Sequence, residues 1–345
     1  MMFKHGMSIT PAGNAKPCCQ YQGKNTHNIN EVDKWQPKFA KLFDQSLSNE
    51  WLPGCSECKR SEEETGHSIR TESLQRYDDS TSPGLKFWDL KISNTCNLMC
   101  RMCGPSDSST WAQNVKNNNV AWTSEVIEAA GRSHTWHNTF LPVVKQQLTD
   151  IDVIKFTGGE PMLVKHVKEV IQHLIDTNIS KSTTLKITTN ATVEYDYWWQ
   201  ELVQHFKYIM INLSIDGIGS RFEYQRAGSN WKEVERNILL INKQKQHPNF
   251  ECAIGYTSTS INAAVTAKTQ QWAEDNNVTF YRAIEVCEPD YLTYASLDYH
   301  LREEYNIVSD TVFDPLQLEK LKTQMAFIDS IYGTDFKTEC PEFFR

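Results

Sequence analysis

The cysteine distribution constrains this chain most. Of its ten cysteines in 345 residues, seven (Cys18, Cys19, Cys55, Cys58, Cys96, Cys100 and Cys103) lie in the first third. Dense disulfides belong to small exported domains, whereas a chain of this length buries a sizeable apolar core of its own. The start, MMFKHGMSITPAGNAK, lacks the apolar middle of a signal peptide, and no apolar run reaches the roughly 18 residues that a bilayer crossing needs. The sequence is therefore read as cytoplasmic, with cysteines that serve metal or redox chemistry. Cys96, Cys100 and Cys103 form C-x3-C-x2-C in KISNTCNLMCRMCGP, directly after the alternating stretch 85–93. Three thiolates on one loop leave a fourth position open. On a cubane iron–sulfur cluster the uncoordinated iron can take a small molecule, which a four-cysteine electron-transfer site does not ordinarily allow. A zinc knuckle or three unpaired thiols are the competing readings, and zinc would want a fourth ligand.

Charge and periodicity narrow the rest. With 35 Lys and Arg against 43 Asp and Glu, the formal net charge is −8, so no general positive field gathers a phosphate backbone or an anionic membrane. Neither membrane association nor broad nucleic-acid binding is expected, although a local basic groove is compatible with that sum. Short apolar runs at 85–93, 151–156, 185–189, 208–215, 250–256 and 278–284 predict six strands. Helical periodicity at 163–176, 197–206, 231–244 and 264–276 makes the pattern repeated βα, an α/β class with a mostly parallel sheet. This suggests a partial (βα)6 TIM-like barrel, with ligands in the loops after strand C-termini. The insertion 104–150 carries Trp111, Trp122 and Trp136 and is expected to make covering helices. Pro315 in a first turn and the stripe Leu318, Leu321, Met325 and Ile328 predict a terminal helix that closes the barrel side or meets the N-terminal unit. Cys252, inside a strand, reads as a small buried hydrophobe. Cys287 could reach the barrel mouth and Cys340 could return to the N-terminal cysteines, but neither has a motif.

The C-x3-C-x2-C loop after a first strand resembles the signature of the radical S-adenosylmethionine (SAM) enzymes. TGGEP at 157–161, following DVIKF, is similar to that family's GGEP turn, and LKITTN (185–190), INLSIDG (211–217) and RFEYQRAGSNWKEVERNI (221–238) resemble its later segments in order. The resemblance implies a partial barrel of the radical SAM type. It also implies a [4Fe-4S] cluster with an open iron site on Cys96, Cys100 and Cys103. S-adenosyl-L-methionine would bind there through its methionyl amine and carboxylate, and a 5′-deoxyadenosyl radical would abstract hydrogen. The cofactor contacts it implies begin with Gly158, Gly159, Glu160 and Pro161 at the amino group. Met102, where the family usually has an aromatic residue, would lie beside adenine, with Asn190 near the sulfonium. Ser214 and Asp216 would meet the ribose, Arg226 would pair with the carboxylate, and Ile284 completes the set.

Gly13 and Cys18 in GNAKPCCQY, with Cys55 and Cys58 in LPGCSECKR, resemble part of the SPASM and twitch auxiliary modules of that family, here ahead of the barrel. Read alone, C-x2-C suits zinc or a redox dithiol equally. The resemblance implies an auxiliary iron–sulfur cluster, [4Fe-4S] favoured, on Cys18, Cys55 and Cys58. Cys19 is the least favoured ligand, because adjacent thiolates seldom orient to one cluster. The module's usual upstream cysteine is absent, and His5 is the nearby alternative. The run Glu62 to Glu64 reads as a solvated face, and Ser68 or Arg70 as a join to the barrel mouth. The expected partition is an auxiliary module at 1–80, a radical SAM barrel at 81–288, and closing helices and tail at 289–345. The expected function is oxidative modification or crosslinking of a peptide or protein side chain, with a reducing donor such as flavodoxin or ferredoxin. A small amino-acid, sugar or nucleotide metabolite is the alternative substrate, and a non-catalytic iron–sulfur protein the alternative class.

Overall fold

Side-chain alternation along short strands organises the fold. The computed structural model describes residues 5–23, 27–46, 51–77, 84–118, 140–286, 288–309 and 311–345. The six expected strands are β4 (Phe87–Leu90), β6 (Val153–Phe156), β7 (Thr184–Thr189), β8 (Tyr208–Ser214), β10 (Phe250–Ser258) and β11 (Thr279–Glu285). Five further strands carry no sequence signal of their own. They are β1 (Gly6–Ile9), β2 (Asn14–Lys16), β3 (His27–Asn28), β5 (Met99–Cys100) and β9 (Arg226–Ala227), each four residues or fewer.

By contacts the chain divides into a first unit, 1–94, 131–187 and 201–209, and a second unit, 95–130, 188–200 and 210–345. In the first unit the strand order is β3-β2-β1-β4-β6-β7-β8, with β7 and β8 entering by their first residues. The pairs β1–β4, β4–β6 and β6–β7 are parallel, while β2 runs antiparallel to β1. One face of these strands is apolar: the registers align Met7, Trp88, Ile154 and Leu185, then Ile9, Leu90, Phe156 and Ile187, all buried. The Lys165–Asp176 helix buries Val167, Val170, Ile171 and Leu174, the i, i+3, i+4, i+7 stripe that packs one helix face. The other sheet face is mixed, aligning Gly6, Phe87, Val153 and Thr184, then Ser8, Asp89, Lys155 and Lys186, with Val153, Ser8 and Asp89 buried. A parallel sheet ordinarily buries both faces in apolar side chains, and the second of these rows departs from that.

The second unit takes the last residues of β7 and β8 together with β10 and β11, the latter two parallel, and the separate antiparallel ribbon β5–β9. The Trp231–Asn242 and Thr266–Asp275 helices follow β9 and β10, completing the βα alternation. The whole is an α/β protein with a parallel-strand sheet, compatible with a partial TIM-like barrel.

The terminal helix spans Pro315–Tyr332, starts on the Asp314 cap and stops at Gly333, whose φ of 65° is the left-handed end glycine favours. Its Leu321, Met325 and Ile328 are fully buried in one apolar cluster with Met99, Trp111, Tyr224 and Cys340. Cys340 is therefore a core residue of the second unit and not a ligand returning to the N-terminal cysteines. Cys252 is buried within β10, as its strand context predicts. Trp122, Trp136 and Cys287 lie outside the described residues, as does the side chain of Ile284 in β11.

Arg101, between the second and third loop cysteines, has no solvent exposure and clamps this helix to the loop. Its guanidinium donates to Asp329 at 2.7 Å, to the Thr334 hydroxyl at 3.0 Å and to the Tyr224 carbonyl at 2.7 Å, and lies 3.6 Å over the Tyr224 ring. Removing one partner of a buried pair leaves an uncompensated charge. Asp329→Ala should lower the unfolding free energy in urea by about 3–5 kcal/mol. A loss under about 1 kcal/mol would show that the clamp contributes no more than an exposed pair.

Candidate functional site

In the second unit, the Cys96–Cys103 loop is held by its backbone. Cys100 pairs with Arg226 across β5 and β9, and the Arg101 amide donates to the Gln225 carbonyl at 2.9 Å. Ser108 caps the Ser109–Asn117 helix and donates to the Leu98 carbonyl at 2.6 Å. Thr110 donates to the Cys96 carbonyl at 2.7 Å, and the Trp111 indole to the Cys100 carbonyl at 2.8 Å. The helix expected in the insertion thus fastens the loop through its backbone groups.

The sulfurs meet two polar side chains. The Asn190 amide stands 3.8 Å from the Cys96 sulfur, and Arg226 Nη1 stands 3.8 Å from the Cys100 sulfur. Burial pushes the Cys100 thiol up to about 12 even though Arg226 pulls the other way, and burial together with Cys100 raises Cys103. Thiolates in such surroundings need a cation beyond the arginine, and a metal centre supplies it. Among the described residues no group of three His, Cys, Asp or Glu side chains closes on a single ion. Three thiolates leave zinc short of its fourth ligand, whereas a cubane on three cysteines keeps one iron open for a small molecule.

Arg226 also has capacity for a ligand. It forms a salt bridge with Asp216, while its Nε is buried with no partner, as is Gln225 Oε1. Burial works against the Arg226 charge, but Asp216, Cys100 and Cys103 raise its pKa overall. A buried, unused donor on a fixed cation suits a carboxylate such as that of the methionyl group. Asp216, expected at the ribose, is placed to hold Arg226. One of its oxygens takes the salt bridge and the other accepts the Thr257 amide at 2.9 Å. Asn190 is oriented by Asn97 at 3.2 Å and by the Thr192 amide at 2.9 Å. Ala191 beside it has a φ of 58°, a left-handed conformation that Asn237 stabilises by donating to its carbonyl at 2.9 Å. Ser214 ends β8 half-buried, and Met102 packs against the apolar cluster around Trp111.

In the first unit, Gly158 and Gly159 have φ of 79° and 55°, successive left-handed residues that turn backbone groups outward after β6. A Cβ on Gly158 would come within 2.1 Å of the Lys91 side chain. Glu160 is buried and accepts the Met162 amide at 3.0 Å, capping the short Pro161–Leu163 turn. Its carboxylate therefore has a local structural task besides the cofactor contact expected of it.

The N-terminal cysteines separate by direction. Cys18 lies within electrostatic reach of Cys55 and Cys58, and burial raises all three, with Cys55 up to about 11. Against burial, the Cys58 sulfur has hydrogen bonds with the Arg70 backbone and the Ser68 hydroxyl. Cys19 points elsewhere: burial and its hydrogen-bond partner Asp89 push it up to about 12. His5 is buried with Nδ1 3.0 Å from the Gly84 carbonyl and its ring against Tyr77. Glu62 departs from the solvated reading of the acidic run, since it pairs with Arg70 and accepts from Ser68. Ser68 and Arg70 are thus support for Cys58. Arg101, Asp329, Thr257 and Asn97 are structural contributors that sequence reasoning missed; only the basic residue inside the cysteine motif hinted at the first.

No family model matches the chain. Among curated proteins it is similar to the GTP 3′,8-cyclase of Syntrophomonas wolfei, 22% identical over 174 residues, covering 49% of this chain and 46% of the relative. It is also similar to that of Vibrio atlanticus, 25% identical over 173 residues, covering 49% and 45%. The chain spans less than half the length of these relatives. Among solved structures, native anSMEcpe with bound AdoMet is 19% identical with a TM-score of 0.40, covering 71% of this chain and 61% of that one. Streptococcus suis SuiB bound to precursor peptide SuiA is 16% identical with a TM-score of 0.37, covering 84% and 64%. The sequence relatives, with the cysteine loop and the GGEP turn, agree with the resemblance to radical SAM enzymes. The cysteine loop and the Arg226 site fit a [4Fe-4S] cluster and S-adenosylmethionine.

Cys96→Ala and Cys103→Ala should each remove about four irons per anaerobically reconstituted chain, whereas Cys252→Ala should remove none. Iron and sulfide assays check this. Full iron in Cys96→Ala would disprove the ligand set.

Proposed function

We propose that the chain oxidatively modifies or crosslinks a peptide or protein side chain, using a second iron–sulfur centre held by Cys18, Cys55 and Cys58. The observation that carries this reading is that Cys18 lies within electrostatic reach of Cys55 and Cys58, on a second segment of the first unit, with Cys18 and Cys58 buried and Cys55 half-buried. Three free thiols in such surroundings suit metal ligation better than packing alone. When bound, the loop cluster supplies an electron and S-adenosylmethionine the carbon radical that removes a substrate hydrogen.

The chain's own residues position and shield. In the second unit Cys96, Cys100 and Cys103 hold the cluster, Arg226 takes the methionyl carboxylate with Asp216 fixing its plane, and Asn190 stands at the Cys96 side. Ser214 and Met102 complete the nucleoside contacts. In the first unit Gly158 and Gly159 form a left-handed turn after β6. Under this reading residues 1–80 are the auxiliary module, 81–288 the barrel and 289–345 the closing segment. A low-potential donor such as flavodoxin or ferredoxin reduces the enzyme.

A second reading, a small-molecule substrate, is favoured by the sequence relatives, which are GTP 3′,8-cyclases. The second centre is tested by counting iron. The reconstituted wild type should hold about eight irons and Cys55→Ala about four, while Cys19→Ala keeps about eight. About four irons in the wild type, unchanged in Cys55→Ala, would overturn the second centre.

A further inference from the structure

We infer that Asn190 sets the reduction potential of the loop cluster, its side-chain amide donating to the Cys96 sulfur and so favouring the reduced state. The inference deepens the function proposed above, and rests on it in taking Cys96 as a cluster ligand. It gives Asn190 a task separate from the sulfonium contact that the resemblance implies.

The orientation of the amide carries the argument. Asn190 follows β7 and is 6% exposed, so its polar atoms depend on protein partners. Its Oδ1 accepts the Thr192 amide at 2.9 Å and the Thr192 hydroxyl at 2.6 Å. A backbone N–H can only donate, so the end of the side chain at Thr192 is the oxygen and the other end the NH2. That nitrogen faces Asn97 Oδ1 at 3.2 Å and the Cys96 sulfur at 3.8 Å, one partner for each of its two hydrogens. Asn97 Nδ2 donates in turn to Thr192 Oγ1 at 2.9 Å, which closes a ring of three side chains beside the sulfur. The backbone next to the amide is equally determined, since Ala191 holds its left-handed φ of 58° with Asn237 on its carbonyl. Cys96 is fixed through its own backbone: its amide donates to Ser109 Oγ at 3.1 Å and its carbonyl accepts from Thr110 at 2.7 Å. Donor and sulfur are thus held from separate elements, and their approach is a property of the fold.

Reduction takes one electron from an external reductant and adds one negative charge, with no bond made or broken. Hydrogen bonds to the ligand sulfurs are among the factors that set such potentials. A donor aimed at a ligand sulfur stabilises the more negative state, so removing it lowers the potential. Arg226 faces the Cys100 sulfur as a cation held by Asp216, and Asn190 is the neutral counterpart at Cys96.

The test is an anaerobic redox titration of the iron-reconstituted full chain, without S-adenosylmethionine, read by electron paramagnetic resonance. The loop cluster's signal is the one that Cys100→Ala lacks. At the wild-type midpoint, Asn190→Leu should hold about tenfold less reduced than oxidised cluster, a fall of about 59 mV. Asn190→Asp keeps the shape and the bond from the Thr192 amide but loses the donor; it should fall at least as far, and it serves if leucine hinders cluster assembly. Thr110→Val loosens the loop at the Cys96 carbonyl and should leave the midpoint unchanged. Iron assays accompany each variant. Full iron with an unchanged midpoint in both Asn190 variants would overturn the inference. An equal fall in Thr110→Val would also overturn it, by tracing the effect to loop disorder. A wild type without any loop-cluster signal would overturn the ligand reading and this inference with it, so the two failures are distinguishable.

Discussion

The Arg226–Asp216 salt bridge is the interaction on which the second unit's site depends. Arg226 sits on a two-residue strand paired with Cys100, so its backbone orders the cysteine loop while its side chain faces the Cys100 sulfur. Asp216 follows β8 and is tied to the Thr257 amide, which makes the cation's position a property of the sheet. A buried charge pair of this kind is weak support for stability in itself, because desolvation offsets much of the attraction. Its value is placement: a fixed positive charge beside the Cys100 sulfur, with one donor left for a ligand. Arg101 answers the same loop from the other side, through Asp329 and the terminal helix.

A different constraint shapes the first unit. Alternation along β1, β4, β6 and β7 sends large apolar residues to one face and Ser8, Asp89, Lys155 and Lys186 to the other. The first face is core. The second is mixed, and there buried Asp89 pairs with Lys155 and accepts from Thr157. Cys18 and Cys19 show how finely direction matters: neighbours in sequence, one joins Cys55 and Cys58 and the other bonds Asp89.

Much of this was legible in the sequence, for physical reasons. The six short apolar runs became strands within two or three residues of their expected ends, because each must bury one full face. The helices at 165–176, 231–242, 266–275 and 315–332 follow stripes that only one periodicity satisfies. The strands β1, β2 and β3 were not legible, since two to four residues carry too little pattern and their pairing is decided by partners far along the chain. Motif spacing located Cys96, Cys100 and Cys103, but Arg101 reads as an ordinary surface cation until its partners, 228 and 233 positions away, are known. Asp216 and Glu160 were assigned to ligand contact by resemblance, and each proves to have a local structural partner as well. The row Ser8, Asp89, Lys155 and Lys186 depends on inter-strand register, which no single strand's sequence states.

The central claim is that three loop thiolates and the Arg226 site together support reductive cleavage of S-adenosylmethionine. It is tested most directly by incubating the cluster-replete protein with dithionite and S-adenosylmethionine under anaerobic conditions and measuring 5′-deoxyadenosine by chromatography. The account predicts that product in the wild type and its loss in Cys100→Ala. No 5′-deoxyadenosine from fully reduced, cluster-replete wild type would contradict it.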